Sequence, residues 1–432
     1  MARLRGGMAG GKNFYDERET MSPQERRSYQ EENLRQIVDI GYQKAPAIKD
    51  KMDEAGVKPS DIRTVKDLEK IPVTTKEDLV KLRKKYGHFA GLLTIPVTKL
   101  RRIYRSAGPI YDACIPGDDV ALAFAKSYFA AGFTPEDIVI ITPSYHMVPA
   151  GLTLEEGLLH LGAVHIPTGT GNSEIQVEIM HDLGVTGYIG FPDFLLTLIK
   201  RAESMGYDFR RDFKLRIAQI AGAMYPPSLR KIYEEDYGIE TCQNYASAEL
   251  GLYAYECRKK NGMHLNDDFI IEIADPETGK QLGPGEVGEV VVTPFYKSLP
   301  FMRFGTRDLS YYTDEPCSCG RTAPRLVSVV GRVGETVRAR GLFLYPGEVT
   351  QSISGIAGIS RFQVAVGRKE NRDQVVFKLE LSDEAINKES LQDEVQARFR
   401  ERCKLGIDQF EFLPKGSIPE QHKVLIDERD WG

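Results

Sequence analysis

Six cysteines in 432 residues are too few for a disulfide-built fold, and two of them form a Cys-x-Cys pair, which favours metal over bridging. A basic excess is also missing. Lys and Arg number 57 against 62 Asp and Glu, a net charge of −5, which argues against a nucleic-acid partner. No window approaches the roughly 18 uninterrupted apolar residues of a spanning helix, so no membrane partner is expected. Residues 1–12 are Gly-rich and basic without the apolar core of a signal peptide. They read as a flexible lead, and the chain as cytoplasmic. Internal repeats and low-complexity tracts are absent. What is present, 41% hydrophobic and 28% charged residues, is ordinary for a globular protein, and the length predicts two or three domains.

Pro23-Gln24-Glu25 opens an amphipathic stretch to Ala45, and Ser60-Asp61 and Thr74-Thr75-Lys76-Glu77 are start signals for shorter helices. Residues 117–240 alternate between apolar runs (138–141, 163–167, 187–190, 217–221) and helical patterns (150–162, 173–184, 193–205, 226–236). That alternation predicts an α/β fold with a mainly parallel sheet, whose ligands sit beyond the carboxyl ends of the strands. Gly222-Ala223 and the turn Asn244–Glu249 fall at such ends. Residues 268–330 change to short alternating strands, a smaller antiparallel β unit, and a boundary is expected at 331–335, where Gly331 and Gly334 punctuate the chain. The expected organisation is thus a large N-terminal domain, 13–330, and a small mobile α+β domain, 331–432.

The chemistry concentrates between Tyr245 and Asp308. Tyr245-Ala246-Ser247-Ala248-Glu249 closes a strand–turn–helix–strand run, and Arg303-Phe304-Gly305-Thr306-Arg307-Asp308 follows about sixty residues later. Asp308 either contacts a ligand or caps the turn after a strand; Glu249 is either a ligand carboxylate or a helix-start acid favoured by the dipole. Cys257, His264, Cys317 and Cys319 lie in turn-rich segments, and three thiolates with one imidazole suit a closed tetrahedral Zn²⁺ site of structural type. The alternative is a set of reduced cysteines.

Together these residues resemble the phenylacetate–CoA ligase family within the acyl-adenylate-forming superfamily, over about residues 13–432. Tyr245-x-x-x-Glu249 resembles the family's Tyr-Gly-x-[Ser/Thr]-Glu, Thr306-Arg307-Asp308 its Thr-Gly-Asp, Gly331-Arg332 its hinge, and Arg340-Gly341 to Pro346 its Arg-Gly-x-x-x-x-Pro loop. The Cys…Gly-x-His…Cys-x-Cys-Gly-Arg pattern is also similar to members of the family. The resemblance implies that an acid reacts with Mg·ATP to give an acyl-adenylate and pyrophosphate, after which CoA displaces AMP. It implies Glu249 on Mg²⁺, Asp308 on the ribose hydroxyls and Arg332 on the ribose or α-phosphate. Tyr245, Asn244, Gly222 and Ala223 would lie about the adenine, with Gly341 in the hinge loop. Tyr145 would border the acyl pocket and Lys423 would be the C-terminal catalytic lysine. The implied partners are an aromatic carboxylic acid, the nucleotide and CoA, with a homodimer as the commonest soluble assembly.

The chain departs from the family at the phosphate loop. Ser-Ser-Gly-Thr-Thr-Gly-Lys-Pro aligns with Ser106-Ala107-Gly108-Pro109-Ile110-Tyr111-Asp112-Ala113, which keeps only Ser106 and Gly108. Hydroxyl donors are lost, Pro109 removes an N–H, and Asp112 stands where a phosphate-facing lysine stood. A full negative charge there would cost about 4 kcal/mol at 4 Å and an effective dielectric near 20. Two functions therefore compete: an aryl- or arylacetate-type acid–CoA ligase, and a homologue that binds nucleotide or acyl-CoA, or transfers acyl groups, without cleaving ATP. A structural partner-binding protein is a third reading.

Overall fold

The computed structural model describes residues 13–106, 108–115, 120–333, 337–344, 346–383 and 386–430. The lead at residues 1–12, Ala107, Gly334, Tyr345 and the Trp431-Gly432 end lie outside the described residues. The chain divides into two compact units: Met1–Tyr225 with Arg230–Gly331, and Pro226–Leu229 with Arg332–Gly432.

The first unit opens on α1 (Pro23–Lys44), started by Ser22, whose side chain accepts from the Glu25 amide while Glu25 returns the bond. Next come α2 (Pro46–Glu54) and α3 (Lys76–Tyr86), the latter capped by Thr75. A short hairpin, β1 (Arg102–Tyr104) with β2 (Asp112–Cys114), brackets the loop 105–111. The α/β part follows as α4 (Val120–Ala131), β3 (Ile138–Ile141), α5 (Ala150–Leu161), β4 (Val164–Pro167), α6 (Ser173–Asp182), β5 (Gly187–Gly190), α7 (Pro192–Ser204), α8 (Phe209–Asp212) and β6 (Ile217–Ile220). Then come α9 (Pro227–Lys231), whose first residues Pro227–Leu229 are grouped with the second unit, a wide five-residue turn to Asp236, and β7 (Glu240–Ser247). The remaining strands are β8 (Gly251–Glu256), β9 (Met263–Leu265), β10 (Phe269–Ala274), β11 (Gly288–Pro294), β12 (Phe304–Thr313) and β13 (Arg325–Arg332).

The antiparallel unit expected after residue 268 joins the parallel strands in one eleven-stranded sheet, ordered β10-β11-β12-β13-β9-β8-β7-β6-β5-β3-β4. The join is β7, which pairs parallel with β6 and antiparallel with β8. β3 leads outward to the edge strand β4, whereas β5 leads the other way to β6, so the topology reverses between β3 and β5. Loops at such a reversal form the ligand crevice of an open α/β sheet. β5 and β6 are buried throughout, which is why they read as short, mainly apolar runs; the polar exception in β6, Gln219, donates to Asn244.

In the second unit, hairpin β14 (Val337–Ala339) and β15 (Leu342–Leu344) precedes α10 (Pro346–Ile353). A four-stranded sheet follows, built from β16 (Ile359–Lys369), β17 (Arg372–Leu381), β18 (Gln409–Leu413) and β19 (Leu425–Asp427), with α11 (Lys388–Cys403) contributing to its core. Among the described residues, no helix is long and apolar enough to cross a membrane.

Candidate active site and candidate metal centre

Asp308 lies inside β12 rather than at a strand end, so the turn-cap reading fails; its oxygen accepts the Tyr245 hydroxyl at 2.8 Å. Burial and the neighbouring carboxylate hold the Tyr245 phenol protonated, well above its ordinary pKa. Arg303, five residues before Asp308, is a clasp rather than a ligand contact. It is 1% exposed, pairs with Glu272 at 3.0 Å and donates to the Ile71 carbonyl at 2.9 Å.

Glu249 sits in the turn between β7 and β8, not at a helix start, so the dipole reading fails too. Its partner is Lys76 at the first position of α3, with Nζ 3.4 Å from Oε1 and both side chains largely buried. Burial alone would raise the Glu249 carboxyl, but Lys76 outweighs it and the group lies below its ordinary range. The loop 105–112 runs against this pair: a Cβ on Gly108 would come 3.3 Å from Glu249 Oε1.

Asp112 does not present the bare charge expected from sequence. Its side chain turns inward, 4% exposed, where Oδ2 accepts the Ser106 amide at 3.3 Å. Burial, opposed by Ser106 and reinforced by Glu249, pushes its pKa up to about 6. Tyr111 packs away between His88, Arg83 and Arg105.

Asn244 accepts from Gln219 Nε2 at 2.9 Å, while its own amide nitrogen is buried without a partner. Gly222, at the end of β6 with φ +83°, has a packing reason to be glycine, since a Cβ would lie 2.5 Å from Phe191. Ala223 follows it in the same turn. Tyr145 is in the loop after β3, at the topological reversal. Its ring lies so close to Gly151 that a Cβ there would come within 2.6 Å, and its shielded hydroxyl is held protonated by burial and by the nearby Glu155 carboxylate.

The remaining residues belong to the second unit. Arg332 closes β13. Arg340 and Gly341, at φ +48° and +81°, form the two-residue turn between β14 and β15, a geometry that favours glycine at its second position. Lys423 is exposed just before β19, where its carbonyl accepts from Gln363 at 2.8 Å.

Cys257, His264, Cys317 and Cys319 come together with their ligand atoms within 4.8 Å of one another. Cys257 and Cys317 sulfurs are 3.9 Å apart, and Cys319 Sγ is 3.4 Å from His264 Nε2. Bonds of about 2.3 Å to sulfur and 2.0 Å to nitrogen give tetrahedral edges of about 3.8 and 3.6 Å, so the donor set fits a tetrahedral ion. His264 Nδ1 lies 3.3 Å from the Ala323 carbonyl, a geometry that fixes Nε2 as the metal-facing nitrogen. Cys319 is drawn toward thiolate by Cys257 and His264, while Cys257 is pushed the other way.

Residues 119–294 match the family model "AMP-binding enzyme", and residues 341–429 match "AMP-binding enzyme C-terminal domain". The chain is 30% identical over 398 residues to phenylacetate–coenzyme A ligase of Thermus thermophilus, covering 88% of each. It is 29% identical over 418 residues to the Escherichia coli enzyme of that name, covering 93% of this chain and 94% of that one. The chain belongs to the phenylacetate–CoA ligase family. A 2-hydroxyisobutyryl-CoA ligase structure, at 22% identity and TM-score 0.91 over 100% of this chain and 96% of that one, shares the fold.

This phenylacetate–CoA ligase family member is thus an enzyme of the acid–CoA ligase type. Sequence reasoning singled out Tyr245 and Asp308 but not the hydrogen bond between them, picked out the four Cys/His residues that come together, and missed the Lys76–Glu249 ion pair. The Thr-Thr-Lys-Glu signal marked where α3 starts, and nothing in it said which side chain would turn toward Glu249.

Asp112 gives the first prediction. Its folded pKa, about 6, lies above the unfolded value, so its contribution is present below about pH 4 and lost as pH rises through 6. Asp112→Asn is expected to stabilise the protein by about 3 kcal/mol at pH 8 and by about half that at pH 5. Thermal melts at both pH values check this. An effect of equal size at both would show that Asp112 stays ionised throughout.

Proposed function

We propose that this ligase cleaves ATP and activates an aryl or arylacetic acid. The Tyr245-bound Asp308, together with a buried Glu249 held ionised by Lys76, carries the reading, and relatives named phenylacetate–coenzyme A ligase point to the acid class. An acid oxygen attacks the α-phosphorus, and the bond to pyrophosphate breaks with the electron pair leaving on pyrophosphate. The CoA thiolate then attacks the acyl carbon and AMP departs.

Asp308 accepts the ribose hydroxyls, oriented by the Tyr245 hydroxyl. The Asn244 amide supplies a donor toward the base, with Gly222 and Ala223 beside it, and Tyr145 borders the acyl pocket. On the family resemblance Arg332 and Lys423 are proposed as donors, the lysine to the acid and α-phosphate oxygens, and Gly341 shapes the β14–β15 turn. Glu249 offers a hard carboxylate oxygen suited to Mg²⁺, which supplies charge neutralisation between phosphates.

The Cys257, His264, Cys317 and Cys319 set would hold Zn²⁺ in a structural role. We extend the proposal to a cytoplasmic setting, supported by six unbridged cysteines, and to a homodimer, checked by light scattering.

The test is a panel of aromatic acids with Mg·ATP and CoA, read as AMP release and thioester formation. At least one acid is expected to release AMP in proportion to the thioester. The departures at Ser106–Asp112 favour the rival, a non-adenylating binder or acyl-transfer protein. No AMP from any acid, together with tight AMP or acyl-CoA binding in calorimetry, would establish it.

A further inference from the structure

Among the described residues of the loop aligned with the family's phosphate loop, few amides are left for outer phosphates. The Ser106 amide is bonded to Asp112 and the Gly108 amide to Ser106 Oγ at 3.2 Å. Pro109 has no N–H, and the Tyr111 amide is bonded to the His88 carbonyl at 3.2 Å. The two arginines nearest the loop are occupied by its carbonyls: Arg83 donates to Pro109 at 2.9 Å and Arg105 to Gly108 at 3.0 Å. These bonds hold the two guanidinium groups to the loop's shape, and the position of the lost lysine is left without a cation.

Lys76 meets that need. It occupies the first position of α3, where the helix end is itself positive, and stands on the same face as Arg83 two turns later. Its ammonium lies 3.4 Å from Glu249 Oε1, beyond the 2.7–2.9 Å of a tight charge-assisted bond. Gly108 brings the loop backbone against that same carboxylate oxygen. The next residue, Glu77, pairs with Arg307 at 3.4 Å, which ties the start of α3 to the strand position beside Asp308.

We propose that Lys76 is a catalytic residue that contacts the outer phosphates of ATP, replacing from α3 the charge that the loop lost at Asp112. This rests on the ATP-cleaving reading above. Without nucleotide, Lys76 and Glu249 neutralise each other. With Mg·ATP bound, Glu249 turns to the cation and Lys76 to the β- and γ-phosphates. The ammonium then stabilises charge building on departing pyrophosphate, and no proton is transferred.

The test compares ATP with AMP, which lacks those phosphates, in calorimetry on the full chain with Mg²⁺. Lys76→Gln removes the charge while leaving a donor for the buried Glu249. Lys76→Arg keeps the charge. Lys76→Gln is expected to weaken ATP at least tenfold and AMP less than twofold, and Lys76→Arg to keep ATP within about threefold of wild type. AMP affinity doubles as the check that each variant is folded. Equal losses for ATP and AMP, or no loss for ATP, would reduce Lys76 to a structural partner of Glu249. Wild type that binds AMP but not ATP would instead overturn the ATP-cleaving reading, and the inference with it.

Discussion

Removing the Zn²⁺ proposed at Cys257, His264, Cys317 and Cys319 is expected to lower the melting temperature of this protein by roughly 6 °C. The four ligands come from separate pieces of one corner: Cys257 just past β8, His264 within β9, and Cys317 and Cys319 in the turn between β12 and β13. Three are buried to within a few per cent (Cys257 at 1%, His264 at 0%, Cys317 at 7%) and Cys319 is half-buried, so without an ion the corner encloses thiols with poor partners. The N-terminal segment leans on the same turn. Glu19 pairs with Arg321 at 2.6 Å, and Phe14 lies where a Cβ on Gly320 would approach to 2.9 Å. An ion held at a thousandfold above its Kd contributes about 4 kcal/mol, which in a unit of this size corresponds to that shift. Elemental analysis should find one zinc per chain, and Cys317→Ser should lose it. Absence of metal together with indifference to strong chelators would reduce the four residues to a cluster of reduced side chains.

The second large effect is expected at Asp308. Asp308→Ala should lower kcat/KM for ATP about a thousandfold, since two charge-assisted hydrogen bonds to ribose together contribute about 4 kcal/mol. Tyr245→Phe removes only the hydroxyl that orients this carboxylate, and a loss nearer tenfold is expected. Both variants should melt within a few degrees of wild type, because the Thr306 hydroxyl still accepts the amide of residue 308 and the strand ladder is untouched. A change of less than threefold in Asp308→Ala would remove the residue from the nucleotide site.

The parallel strands were readable in sequence because burial on both faces leaves apolar runs, unbroken at Ile138–Ile141 and interrupted by one glutamine at Ile217–Ile220. Helix starts were readable for a different reason: Ser22 and Thr75 each close a local capping box, which needs no tertiary partner. The union of two sheets was hidden, because β7 carries no mark of having unlike neighbours on its two sides. Charge misled at Asp112. Sequence gives an acid at a lysine's place, whereas folding turns that acid inward and partly neutralises it. Lys76 was hidden because its partner is over 170 residues away in the chain, and such a pairing is set only by how α3 docks on the β7–β8 turn.

One consequence of β7 bears on how this protein can be engineered. Its first four residues are in register with β6, from Ile217 opposite Glu240 to Ile220 opposite Gln243, and the next ones with β8, across an irregularity between Tyr245 and Ala246. A one-residue slip in a strand exchanges its two faces. An insertion or deletion here would therefore turn the Tyr245 ring away from Asp308 while mispairing two neighbours at once. Libraries that vary length belong in the exposed turn around Asp275–Gly279, and at β7 only side chains should be varied.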